Sequence, residues 1–281
     1  MTRPHRNDTK GMIAIDKNLY QTLLRDSGLV KAVDEPDFTP NEDLGEGAVS
    51  EMEFTYRKEL LATLALIYPA ISKIINGNRD VEEKITKVDE YIDQFTTNAQ
   101  KIATNHTTST WTAAVTSANS QVKAKTDKFK STATPDTARL DIIQTQQLNN
   151  VEDIALTMRG RIRQGLLIAE VQSAYEFSED QIDSQYDYLD SAFNTAQTNL
   201  DKAGMYGWIE SHKAGQLETF IIAGTILGAV IVAPWEEVGD DTVCEECLDL
   251  AANGPYSILF WPANPHFGCR CTQGEIEIIW N

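Results

Sequence analysis

Cysteine is absent before position 244, and all four cysteines of the chain fall between Cys244 and Cys271. A chain of 281 residues does not depend on disulfides to hold a core. The clustering therefore reads as a local device near one end. Basic charge is scarce too: 24 Lys and Arg face 42 Asp and Glu, a net charge of -18. A surface that acidic repels nucleic-acid phosphate at long range, so general DNA binding is disfavoured. Histidine is rare, and His5, His106 and His212 stand in polar surroundings without an evident catalytic partner. No phosphate-binding loop, Gly-x-Ser-x-Gly elbow, His-Glu-x-x-His pair or dinucleotide fingerprint is present. These absences lead us to expect a protein that is not an enzyme. Residues 1–11 are polar, and no leader peptide is expected from them. One apolar run needs weighing. Thr219–Trp235 carries no charge over 17 residues, but a bilayer helix needs about 20 and prefers basic flanks. Glu218 and Glu236 bracket this run, so buried core or strand, broken at Gly224 or Gly228, is the expectation.

What is present is a composition suited to a folded chain, 42% apolar and 23% charged. Three regions follow from its texture. Residues 1–48, with Pro4, Pro36, Pro40, Gly45 and Gly47, read as an extended N-terminal arm. Residues 49–204 read as a helical body. Leu60, Leu61, Leu64, Ile67, Ile71 and Ile75 recur at helical spacing, with a kink expected at Pro69 and an end at Gly77. Ile85, Val88, Ile92, Phe95, Ala99 and Ile102 form a second stripe. The Thr- and Ser-rich stretch 104–133 is open to two readings, a weakly apolar helix or a long connector. Thr134-Pro135-Asp136 signals a further helix start, with bends expected at Gly160 or Gly165. Ser178–Gln181 has the form of a capping box, and the stripe Leu189, Phe193, Ala196, Leu200, Ala203 behind it should stop at Gly204. Residues 205–281 read as a small α+β module, with strands at Ala229–Val232 and Glu275–Trp280. The fold class expected is mainly α: a bundle of long amphipathic helices followed by a Cys/His-braced α+β module.

The chemistry concentrates in Cys244-Glu-Glu-Cys247, then 18 residues, then His266-Phe-Gly-Cys269-Arg-Cys271. A Cys-x-x-Cys turn brings two thiolates to one point, and a second Cys or His group some 15–20 residues on completes a tetrahedral shell. Cys269 and Cys271 face one side of an extended segment. Cys244, Cys247, His266, Cys269 and Cys271 are thus five candidate ligands for four positions, and the site should be structural. Zinc is the metal such a set suits. A pair of disulfides and a group of free thiols are the alternatives. The competing function is a metal-dependent or redox enzyme using this cluster; Glu245 and Glu246, between Cys244 and Cys247, should disfavour the thiolate, which argues against redox chemistry. Arg159, Arg161 and Arg163 form the only compact basic group. They either meet DNA or an acidic subunit, or balance Glu152, Asp153 and Glu170 on a solvated face. Arg270 reads as an anion contact or a solvated side chain.

Trp235-Glu-Glu-Val-Gly-Asp240-Asp241-Thr-Val-Cys244-Glu-Glu-Cys247-Leu, followed by Trp261-Pro262-Ala-Asn-Pro265-His266-Phe-Gly-Cys269-Arg270-Cys271, resembles the C-terminal module of the minor head proteins of tailed viruses. These form the phage Mu F-like, head-morphogenesis family. Phe267 stands where that family usually has proline, and the Cys/His spacing is intact. The resemblance covers about residues 235–272. It implies a virion component in the capsid interior near the portal, assembled in the host cytoplasm. Its implied partners are the portal or major capsid protein, with contact to packaged DNA, and its implied role is head assembly or DNA packaging and ejection.

Overall fold

The apolar stripes close into four long helices. The computed structural model describes residues 50–174, 184–236, 244–263, 269 and 271–280. Helix α1 spans Glu51–Ile75, α2 Val81–Lys125, α3 Ala138–Ala174 and α4 Ser184–Leu227. A short strand region follows: β1 (Ala229–Ala233), β2 (Trp235–Glu236), α5 (Glu245–Asn253), β3 (Tyr256–Ser257), a 3-10 turn at Ile258–Phe260, β4 (Thr272–Gln273) and β5 (Glu277–Trp280). The fold class is the one expected, mainly helical with a small C-terminal strand region and a cysteine cluster.

Helix α1 starts where Ser50 accepts the Glu53 N–H at 3.1 Å, with Glu51 and Glu53 in the first turn to meet the positive helix end. Pro69 lies inside α1 and the helix continues to Ile75, just before Gly77. The stretch 104–133 resolves in favour of helix as far as Lys125. Its buried positions Ala103, Thr107, Trp111, Ala114, Ala118 and Val122 continue the stripe of α2 with mostly small side chains. Their hydroxyl neighbours bond back to the preceding turn, as Thr112 does to the Thr108 carbonyl at 2.8 Å, so the threonines cost the helix little. Asn119 then fixes the connection to α3. Its amide group donates to the Ala133 carbonyl at 2.8 Å and accepts the Ala133 N–H at 2.7 Å. Helix α3 begins three residues after Pro135, where Asp136 accepts the Ala138 N–H at 3.0 Å.

The expected stop at Gly204 is overturned. Helix α4 runs through Gly204, Gly207 and Gly215 to Leu227. The glycines there serve packing. A Cβ on Gly207 would sit 3.0 Å from the Tyr56 hydroxyl and the Gln147 side chain, and one on Gly215 would sit 3.0 Å from Ala114 and the Trp111 carbonyl. The true stop is Gly228, at φ 61, a left-handed position that ends the helix and turns the chain into β1. The apolar run Thr219–Trp235 is therefore helix end plus strand, as its glycine suggested. No helix among the described residues is long and apolar enough to cross a membrane.

The chain divides into two compact units. Among the described residues, the first comprises Arg57–Asn98 and most of Ile154–Asp201. Among its described residues, Leu64, Ile71, Ile92, Phe95, Met158, Ile162 and Phe193 are fully buried. Tyr68 packs edge-on against Phe193 and donates its hydroxyl to Asp190 at 2.9 Å. The second comprises Gly47–Tyr56, Ala99–Asp153 and Lys202–Asn281. Its strands form an antiparallel sheet in the order β3-β1-β5 and a two-stranded pair β2-β4. Ile231 opposes Ile278, Val232 opposes both Glu277 and Ser257, and Trp235 opposes Gln273. Ile231 and Ala233 of β1, with Ile258 of the 3-10 turn and Ile276 just before β5, pack against Ala118, Val122, Phe220 and Ala223. The expected arm 1–48, the capping box at 178–181, His266 and Arg270 lie outside the described residues.

Candidate metal centre

Helix α5 places the first two cysteines. Cys244 is its N-cap, in extended backbone, and its sulfur accepts the Cys247 N–H at 3.4 Å. Glu245 and Glu246 occupy the first turn, where carboxylates suit the positive helix end. Cys247, Leu250 and Ala251 share the face turned inward. The second pair comes from the segment leading into β4. Cys269 and Cys271, two residues apart, are both buried in the same cluster. Trp235 covers it, stacked on Trp261 at 5.6 Å between ring centres, while Tyr256 meets Trp261 edge-on and donates its hydroxyl to the Leu250 carbonyl.

The sulfurs of Cys247, Cys269 and Cys271 lie within 4.8 Å of one another, and all three residues are buried. Cys247 and Cys269 are 3.4 Å apart at sulfur. That is far beyond a disulfide bond of about 2.05 Å. All four cysteines are free, which corrects the disulfide alternative. Tetrahedral thiolates at about 2.3 Å from a zinc ion stand about 3.8 Å apart, and the three sulfurs lie close enough together for such a shell. The donor set fits a thiophilic divalent cation, and these three cysteines could hold one. Cys244, half-buried beside Cys247, stands outside the trio.

Burial pushes the Cys247 thiol up, and hydrogen bonding with Cys269 and Cys244 adds to it. Burial also raises Cys269, opposed by the nearby Lys213 ammonium. At Cys247 and Cys269 the leading cause that disfavours a thiolate is desolvation. Lys213 itself escaped the sequence reading. It sits in α4, 6% exposed, and its ammonium donates to the Cys269 carbonyl at 2.5 Å. Burial lowers its pKa, and Cys269, Glu210, Cys271 and Cys247 pull it back up. The only signal for it in the sequence is a lysine amid the small residues Ser211, Ala214 and Gly215.

The three arginines have partners within the chain. Arg163 binds Asp89 at 2.9 Å, Arg159 binds Asp93, and Arg161 donates to Thr195 at 2.7 Å and to Ser191 at 2.9 Å. Acids of α2, Asp89 and Asp93, thus take part in balancing Arg159 and Arg163. Set against family models, curated proteins and solved structures, the chain matches none of them.

Proposed function

We propose that this chain is a structural minor head protein of a tailed virus, whose C-terminal module is braced by a zinc ion on the cysteine cluster. Cys247, Cys269 and Cys271 would hold the ion, with Cys244 or His266 as the fourth ligand. When bound, it supplies a cross-link whose binding free energy, on the order of 10 kcal/mol, becomes folding free energy of the module. The observation that carries this reading is the joint burial of three cysteines of the head-protein-like motif beneath Trp235. A catalytic zinc keeps a position open to water, and a redox cysteine needs an accessible, stabilised thiolate. The raised pKa values of Cys247 and Cys269 do not suit a redox thiolate, and the burial of all three sulfurs suits a brace.

The place of action in this reading is the capsid interior near the portal, with assembly in the host cytoplasm. Its partners are the portal or major capsid protein. Arg159 and Arg163 are paired with Asp93 and Asp89, so any contact they make with packaged DNA would compete with these pairs. Mass spectrometry of purified virions tests the proposal. The chain is expected in the particles, well below the major capsid protein in copy number. Particles that lack it would end the reading.

A further inference from the structure

A metal bound by three thiolates carries a charge of -1, and by four thiolates -2. Such a cluster beneath Trp235 is shielded from water, so uncompensated charge there is expensive. The described residues bring one cation to it, the ammonium of Lys213. This side chain comes from the middle of α4, 56 positions earlier in the chain than Cys269, whose carbonyl it binds. A lysine buried to this degree in a helix is itself unfavourable unless charge of opposite sign is nearby. Glu210 supplies one opposite charge to this lysine, and the cysteine cluster supplies the rest. The bond to the Cys269 carbonyl also fixes the backbone between the second pair of ligands, Cys269 and Cys271.

We propose that Lys213 is the positioning residue of the metal centre: it neutralises part of the thiolate charge and holds the Cys269 backbone in place. This inference rests on the zinc reading above and extends it to a residue outside the cysteine motif. Groups that touch ligands in this way tune metal affinity by roughly 10–100-fold.

The test uses the full chain and cobalt(II) as a probe, with zinc competition to obtain affinities. The parent protein is expected to bind one cobalt with thiolate charge-transfer bands. Lys213→Met and Lys213→Gln should each weaken binding by roughly 10–100-fold while leaving those bands in place. Lys213→Arg, which keeps the charge, should stay within about 5-fold of the parent. Metal-free Lys213→Gln should be no less stable than the metal-free parent, because a buried ammonium has gone. A lysine of merely packing importance would lower that metal-free stability instead. Parent-like affinity in Lys213→Gln overturns the role of Lys213 and leaves the zinc reading standing. A parent protein without thiolate bands overturns the zinc reading itself, and this inference with it.

Discussion

Arg57 and Asp201 show how single residues hold the first unit. The guanidinium binds the carboxylate through two bonds, Nε to Oδ1 at 2.7 Å and Nη2 to Oδ2 at 2.8 Å. Both side chains are largely out of water, at 8% and 20% exposure, so the paired geometry matters more than at a surface. Asp201→Ala should cost about 2–3 kcal/mol, somewhat less than the roughly 3–5 kcal/mol of breaking a fully buried pair because Asp201 keeps some solvent. Denaturant unfolding monitored by circular dichroism reads this directly, and a loss below about 0.5 kcal/mol would place the pair among ordinary surface bridges. Legibility at this scale follows residue chemistry. Cysteines are few and their spacing is informative, so Cys247, Cys269 and Cys271 could be grouped from sequence alone. Lys213 could not, because a lysine in a helix usually reaches solvent. Its burial is set by the Cys269 segment that folds against it, a contact with no local signature.

Among the helices, glycine was the hard residue to read. Gly160, Gly165 and Gly204 looked alike as weak points in apolar stripes, and none of them breaks its helix. A missing Cβ means conformational freedom in one place and close approach in another, and sequence spacing does not separate the two. Gly160 is exposed, and a Cβ there would meet nothing within 4 Å. Gly160→Ala should therefore stabilise by about 0.5–1 kcal/mol through helix propensity alone. Gly165 faces α4, where an added Cβ would stand 2.6 Å from the Cβ of Tyr188. Gly165→Ala must displace one helix locally and should destabilise by about 1–3 kcal/mol. Thermal unfolding of the two variants should move in opposite directions; a shared direction would contradict the packing assigned to Gly165. Stripes of large side chains were easier to read. Ile92, Phe95, Leu189, Phe193 and Leu200 are buried as their spacing required. The threonine-rich half of α2 was ambiguous because Ala103, Ala114 and Ala118 are too small to mark a stripe by hydropathy.

At the scale of the whole chain, the two compact units differ in what holds them. The first closes on large apolar side chains, among them Phe193, against which Tyr68 packs edge-on. The C-terminal strands of the second are short: β2, β3 and β4 have two residues each. Strand pairs of that length are not stable by themselves in water. Their support comes from the hydrophobic contacts of Ile231, Ala233, Ile258 and Ile276, and from the cysteine cluster beside Trp235. Surface ties such as Lys125 to Glu275 at 2.5 Å add little, since Glu275 is 81% exposed. If zinc is the brace, its removal takes away the strongest of these supports. Treating the protein with a chelator, or replacing Cys247 by Ser, should then raise amide exchange across α5, β3 and β4 by at least about 100-fold, the equivalent of roughly 2.7 kcal/mol. The buried positions of the first unit, such as Ile92 and Phe193, should keep their protection. Hydrogen exchange with mass spectrometry resolves both regions in one experiment. Unchanged exchange in α5 after the metal has gone would show that Trp235 and the sheet core suffice, and that the cluster does not act as a brace.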